Sequence, residues 1–311
     1  MNIVLLDAKT MGNDIDLSIF SKYGNFKSFE ITSDEEKLSR SKDADIIITN
    51  KVVFDEKTLK LLPNLKLICL LATGMNNIDI TAAKEQGIEV KNVAGYSTAS
   101  VTQVTFTLVL ALFGRLNYYD NYVKNGQWIT SKTFTHVNMP FHELNGKKWG
   151  IIGLGNIGRE VAKIATAFGC EVSYFSTSNT KREEKYKSLD LKELLQNSDI
   201  VTIHAPLNEK TKNLLSKNEL DLMKQDAVLI NVGRGGIIDE KALRDVLENK
   251  KIYAGIDVLE FEPMREDSFL NNLTHKDRFI ITPHVAWGSV EARNRLILMV
   301  CENIETFLKD K

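Results

Sequence analysis

At 311 residues the chain exceeds the roughly 100–200 residues of an ordinary domain, so two domains are expected. Its 40 Lys and Arg against 41 Asp and Glu leave a formal net charge of −1, with 43% of residues hydrophobic. No bulk charge draws such a chain onto nucleic acid or anionic lipid, and neither nucleic acid nor membrane is expected as a partner.

Cys69, Cys170 and Cys301 are widely separated in apolar stretches, and the apolar N-terminal run 3–6 is too short for a signal-peptide core or a membrane span. Buried, reduced thiols and a cytoplasmic location are expected. In chain order, short β-branched runs alternate with longer amphipathic stretches, the pattern of parallel strands joined by crossover helices. Strands are predicted at residues 3–7, 45–49, 65–71 and 88–92, with helical or polar segments such as 35–42 and 80–86 between them. From Thr98 to Lys124, Val101, Val104, Leu108, Leu112 and Leu116 keep helical spacing and predict one unusually long helix. Six more strands are predicted at 148–152, 171–175, 200–204, 227–232, 252–256 and 279–282, enough for a doubly wound dinucleotide sheet. The last stretch, 289–308, is helical by pattern with no strand after it, and is expected to return to the first domain. The expected architecture is α/β: a doubly wound parallel Rossmann sheet over 99–284, inserted into a second, smaller flavodoxin-like α/β domain made of 1–98 and 285–311.

The strand at 148–152 runs directly into Gly153-Leu154-Gly155-Asn156-Ile157-Gly158 and then into a helical stretch. In that context the first glycine permits a tight turn, the second lets backbone N–H groups approach a pyrophosphate, and the third lets helix pack on strand. The helix N-terminus adds a favourable partial positive charge. An acidic residue about 20 positions further on would hold the adenosine ribose hydroxyls. Here the second strand ends in Ser176-Thr177-Ser178-Asn179, followed by Lys181 and Arg182. Without a carboxylate to repel a ribose 2′-phosphate, NADP stands beside NAD as the expected cofactor. The alternative reading of Lys181 and Arg182 is the start of a solvated charged run.

Three later segments sit at the C-terminal ends of predicted strands, where open α/β sheets bind ligands. They are Asn231-Val232-Gly233-Arg234-Gly235-Gly236, the stretch 255–263 with Asp257 and Glu262, and Thr282-Pro283-His284-Val285-Ala286-Trp287. With Ala72-Thr73-Gly74-Met75-Asn76-Asn77-Ile78-Asp79, Gly95-Tyr96-Ser97-Thr98 and Glu143-Leu144-Asn145-Gly146-Lys147, the sequence resembles the D-isomer-specific 2-hydroxyacid dehydrogenase family nearly end to end. The resemblance implies hydride transfer between NAD(P)H and a small D-2-hydroxy acid/2-oxo acid pair, with Arg234, Glu262 and His284 catalytic. The chemistry suits each residue. An imidazole gives and takes a proton near neutral pH, a paired carboxylate orients it and favours its charged form, and a guanidinium grips the substrate carboxylate with a planar fork of donors.

The resemblance also implies that backbone N–H groups of Thr73, Gly74 and Met75 bind the substrate carboxylate. It implies that Asn156, Ile157, Val232 and Gly233 contact the cofactor, that Asp257 meets the nicotinamide amide, and that the protein is a homodimer. His204, with Ala205 and Pro206, is expected to line the cofactor crevice. Lys51 is a candidate second cation for the substrate, with a surface lysine as the alternative, and Trp287 a candidate pocket wall, with a core tryptophan as the alternative.

Asn50-Lys51, Ala72-Thr73-Gly74, Gly95-Tyr96-Ser97-Thr98 and Trp287 resemble the branch of the family that acts on glycerate and hydroxypyruvate; glyoxylate and glycolate form the other expected pair. Met75 departs from that branch, which often has an aromatic residue there. Glu262 argues against formate-dehydrogenase-like relatives, which carry glutamine. A short phosphoglycerate dehydrogenase or a broad 2-oxo acid reductase is the nearer alternative. From another class, the alternative is a nucleotide-sensing corepressor-like binding protein. No His/Cys/Asp cluster has ligand spacing, so no metal is expected.

Overall fold

Two sheets, both parallel throughout, organise the computed structural model, which describes residues 1–178 and 185–309. The first contains β1 (Asn2–Leu5), β2 (Asn25–Ser28), β3 (Ile46–Thr49), β4 (Leu67–Leu70) and β5 (Glu89–Lys91), in the order β2-β1-β3-β4-β5. That is the flavodoxin-like order. The second contains β6 (Lys148–Ile152), β7 (Glu171–Phe175), β8 (Lys187–Ser188), β9 (Ile200–Ile203), β10 (Val228–Asn231), β11 (Tyr253–Ile256) and β12 (Phe279–Ile281). Its order, β12-β11-β10-β9-β6-β7-β8, runs outward in both directions from β6. This is the doubly wound Rossmann arrangement, with its switch point between β6 and β9.

The chain folds as two compact units, Met1–Ser97 with Trp287–Lys311, and Thr98–Ala286. In the first, alternate strand residues serve opposite faces of one sheet. Ile3, Leu5, Ile46 and Ile48 pack with Leu296, Val300 and Ile304 of the helix Val290–Lys309, whereas Val4, Leu6, Ile47 and Ile68 pack with Leu59 and Ala83. Burial on both faces explains the unbroken apolar run Ile46-Ile47-Ile48. In the second unit Val201, Ile203, Leu229 and Ile256 pack against Leu243, Val246 and Leu247 of the helix Glu240–Asn249.

The structure departs from the sequence expectation in three elements. Seven strands form in the second sheet rather than six, because β8 is a two-residue exposed edge strand without hydrophobic signal. β2 is an additional edge strand, polar and mostly exposed. The single helix expected over 98–124 is two, Thr98–Phe113 and Leu116–Lys124, bent by 60°. Arg115 makes the break at φ 54°, with its guanidinium donating to the Leu112 carbonyl at 2.7 Å and lying 3.5 Å from the centroid of the Tyr253 ring. Apolar spacing continues across the bend, so periodicity alone carries no sign of it. Among the described residues no single helix is long and apolar enough to cross a membrane.

Candidate active site

The glycine turn joins β6 to the helix Asn156–Ala167. Gly153 has φ 91°, and a Cβ there would lie 2.9 Å from the His204 carbonyl oxygen. A Cβ on Gly158 would lie 2.3 Å from the Gly153 carbonyl oxygen, so helix and turn touch through a hydrogen atom. Gly155, in contrast, faces open space. It caps the helix without a side-chain hydrogen bond, and Asn156 and Ile157 begin the first turn, whose backbone N–H groups have no acceptors within the helix.

A cleft of about 160 Å³ opens beside this turn. It is bounded by Gly153 and Gly155, by Ser176, Thr177 and Ser178 after β7, and by His204, Ala205 and Pro206 after β9. Both ring nitrogens of His204 are buried without a hydrogen-bond partner among the described residues. Burial pushes this imidazole down to about 3, which keeps it neutral at physiological pH. An open glycine, free helix N–H groups and an orphaned imidazole fit an organic dinucleotide bearing a pyrophosphate. Lys181 and Arg182 lie outside the described residues.

The loops after β10, β11 and β12 carry Arg234, Glu262 and His284, the three side chains selected from the sequence. Val232 and Gly233 follow β10, and Arg234 is exposed at the tip of the loop. Buried Asn231 pins that loop at two points, accepting from Gly233 N at 3.0 Å through Oδ1 and donating to the Arg234 carbonyl at 2.9 Å through Nδ2. The next residue, Gly235, meets the loop after β11 so closely that a Cβ would lie 1.9 Å from the Leu259 carbonyl oxygen. That second loop turns back on itself, with Leu259 N–H donating to Glu262 Oε1 at 3.0 Å.

Glu262 Oε2 lies 2.7 Å from His284 Nδ1, and the two side chains are 33% and 25% exposed. His284 follows β12 in the left-handed region at φ 51°, unusual for a residue with a side chain. Its backbone N–H reaches the Asp257 carbonyl at 2.8 Å. The buried Asp257 carboxylate accepts from Thr282 Oγ1 at 2.5 Å and from Val285 N and Ala286 N at 2.9 Å each. Asp257 therefore shapes the histidine loop, a role that its place in the sequence did not signal. Buried polar groups persist where their hydrogen bonds are made, and Asn231 and Asp257 are two such groups beneath the site.

The first unit carries the remaining sequence-selected residues. Thr73 Oγ1 donates to the Val93 carbonyl at 2.8 Å and the Thr73 carbonyl accepts from Asn92 Nδ2 at 2.6 Å, which fixes the loop containing Gly74 and Met75. Met75 is 37% exposed. Lys51 has an exposed side chain, while its N–H donates to Asp7 Oδ2 at 2.7 Å. Asp7 is buried and also accepts from Asn50 N and Thr49 Oγ1. Burial pushes its carboxyl up, against these hydrogen bonds. Trp287 is half-buried on the core of this unit, edge-on to Tyr96 with ring centroids 6.3 Å apart. Among the described residues no group of three or more His, Cys, Asp or Glu is placed to hold a metal ion.

A hydrogen-bonded carboxylate–imidazole pair lies in the same unit as the dinucleotide turn, an arrangement that suits a pyridine-nucleotide oxidoreductase. Comparison with known proteins agrees. Residues 106–286 match the family described as D-isomer specific 2-hydroxyacid dehydrogenase, NAD binding domain. A glycerate dehydrogenase of Methylorubrum extorquens is 37% identical over 311 residues, spanning 99% of this chain and 96% of its own. A hydroxypyruvate reductase of Blautia hydrogenotrophica is 36% identical over 316 residues, spanning 99% and 97%. Among solved structures, an acyclic imino acid reductase in complex with NADPH and D-Arg superposes with a TM-score of 0.87 at 31% identity, covering 100% of this chain and 98% of that one. The chain belongs to the D-isomer-specific 2-hydroxyacid dehydrogenase family and is an NAD(P)-dependent dehydrogenase.

Proposed function

We propose that the protein reduces hydroxypyruvate or glyoxylate to the corresponding 2-hydroxy acid, with Arg234, Glu262 and His284 as its catalytic residues. The observation that carries this reading is the 2.7 Å contact between Glu262 Oε2 and His284 Nδ1. With Nδ1 engaged, Nε2 is the nitrogen that gives a proton to the substrate carbonyl oxygen and takes it back in the reverse direction. The cofactor, when bound, supplies or receives the hydride. Arg234 grips the substrate carboxylate and polarises the adjacent carbonyl.

Thr73, Gly74 and Met75 are assigned to the substrate carboxylate through their N–H groups, and Lys51 and Trp287 to the rest of the substrate. Asn156, Ile157, Val232, Gly233 and Asp257 are assigned to the cofactor, the last to its nicotinamide amide. The names of the two enzyme relatives support the substrate class. The test is loss of reduced cofactor with a panel of 2-oxo acids against NADH and NADPH. Turnover of hydroxypyruvate or glyoxylate is expected, and no turnover with either acid would overturn the reading.

Cofactor choice is read at the end of β7, where Ser176 occupies the place of a ribose-binding carboxylate and its hydroxyl lies 3.5 Å from that of Ser178. Use of NADPH beside NADH is expected. In the Ser176→Asp protein, a negative charge at this point shifts the kcat/KM ratio toward NADH by at least about tenfold, the size of one partly screened like-charge contact. An unchanged ratio would remove Ser176 from cofactor selection.

A homodimer is supported by the surface over 116–142. Ile129, Phe134 and Val137 are 87%, 90% and 68% exposed, with Leu116, Trp128 and Phe141 also exposed nearby in sequence. So many large apolar side chains exposed within one short segment support an association site there. The double substitution Ile129→Glu/Phe134→Glu is expected to give a monomer by sedimentation velocity, and a dimer of unchanged mass would contradict this surface. The three cysteines are free and buried, which supports residence in a reducing cytoplasm.

A further inference from the structure

The loop bearing Arg234 leads, through Gly235 and Gly236, into the helix Glu240–Asn249. The first residue of that helix turns its side chain back toward the site. Glu240 Oε1 accepts a hydrogen bond from Glu260 N–H at 2.7 Å. Glu260 lies within the turn 259–262, whose preceding N–H, that of Leu259, is held by Glu262 itself. Two consecutive N–H groups of one turn are thus held by two carboxylates, one from inside the turn and one from the helix.

We propose that Glu240 is a positioning residue for hydride transfer, clasping the turn that presents Glu262 to His284 and tying it to the element that follows Arg234. This rests on the proposed catalytic roles of Arg234, Glu262 and His284. Two contacts bind the loops together: the close passage of Gly235 against Leu259, and the Glu240 hydrogen bond. The first is a packing contact at one point. The second adds a directional bond at the next residue, and its loss would let the turn that carries Glu262 shift relative to Nδ1.

The environment of Glu240 favours a clasp over a general electrostatic role. The side chain is half-buried, and burial pushes its carboxyl up, reinforced by Glu260, Glu262 and Asp239 and opposed by the Glu260 N–H. A negative charge placed for its own sake would not be set among three other acids. A hydrogen-bond acceptor with this reach is what the turn needs, and a neutral amide oxygen provides the same acceptor.

Glu240→Gln and Glu240→Asp separate acceptor from charge. The first keeps the acceptor and the reach and loses the charge; the second keeps the charge and shortens the side chain by one methylene. Glu240→Gln is expected to hold kcat within about threefold of the parent, whereas Glu240→Asp and Glu240→Ala lose about 10- to 100-fold, the cost of a misplacement near 1 Å. NADPH affinity, followed by quenching of tryptophan fluorescence, stays within about threefold in all of them, because the bond holds the Glu260 N–H, a group not assigned to the cofactor. Adding Glu240→Ala to Glu262→Gln costs less than the product of the two single effects, as expected for residues that act on one geometry. A fast Glu240→Asp with a slow Glu240→Gln would overturn the proposal, as would fully multiplicative losses. Full activity in Glu262→Gln alone would overturn the underlying reading of Glu262 as well, whereas a slow Glu262→Gln with a normal Glu240→Ala removes Glu240 only.

Discussion

The His284→Ala protein is expected to reduce 2-oxo acids with a kcat lowered by about 10²–10⁴-fold, the range for loss of a positioned proton donor. Its melting temperature and its affinity for NADPH are expected to stay near those of the parent. The side chain is 25% exposed, so its removal opens no core cavity. The loop is held by backbone and buried groups that the substitution leaves in place: His284 N–H to the Asp257 carbonyl, and Val285 N–H and Ala286 N–H to the Asp257 carboxylate. The left-handed conformation at φ 51° suits a histidine somewhat better than an alanine, so only a small fall in melting temperature accompanies the substitution. Steady-state kinetics together with a cofactor titration separates the two quantities. A kcat near the parent value would dismiss His284 as the proton donor.

The second large effect is expected at Gly235. A Cβ there would sit 1.9 Å from the Leu259 carbonyl oxygen, 2.0 Å from its carbon and 2.5 Å from Glu260 N. All three neighbours are backbone atoms, so no side-chain rotation relieves the overlap, and the two loops must part. Overpacking of this kind costs about 1–3 kcal/mol of stability. The functional cost is larger, because Arg234 precedes Gly235 directly and Glu262 is three residues from Leu259. A shift near 1 Å between groups that act together is worth about 10²-fold in rate. Gly235→Ala is therefore expected to lose about 10²-fold in kcat/KM while remaining folded by circular dichroism and thermal melting. A Gly235→Ala protein with parental kinetics would mean that the loops tolerate separation and that their contact does not set the geometry.

How far the sequence disclosed this molecule depended on the kind of signal each part carries. Buried strands such as β3, β9 and β10 announce themselves because an apolar β-branched run has few other uses. β2 and β8 do not, since an edge strand formed by Asn25–Ser28 or Lys187–Ser188 is held by main-chain pairing that side chains do not encode. The bend at Arg115 was hidden for a different reason. Leu112 and Leu116 preserve helical spacing across it, and what breaks the helix is a guanidinium stacked on Tyr253, far away in sequence.

The candidate site divides in the same way. Arg234, Glu262 and His284 stand in ordered motifs whose chemistry is explicit in their residue types, and all three lie in the loops after β10, β11 and β12. The hydrogen bonds that hold them were not legible. Asn231 and Glu240 are ordinary polar residues until the fold shows that each bonds to a backbone group of these loops, and Asp257, singled out in the sequence only as a nicotinamide contact, bonds to the backbone of the histidine loop. Such partners are fixed by tertiary register, which no local spacing rule conveys.

In the proposed reaction hydride passes from NAD(P)H to one face of the carbonyl carbon of a small 2-oxo acid, and a proton passes to its oxygen. Reduction of hydroxypyruvate with reduced cofactor deuterated at the transferring position of the nicotinamide ring tests it most directly, with the product analysed for label and configuration. Glycerate of the D configuration carrying deuterium at C2 is the predicted result. Unlabelled product, or glycerate of the L configuration, would contradict the account.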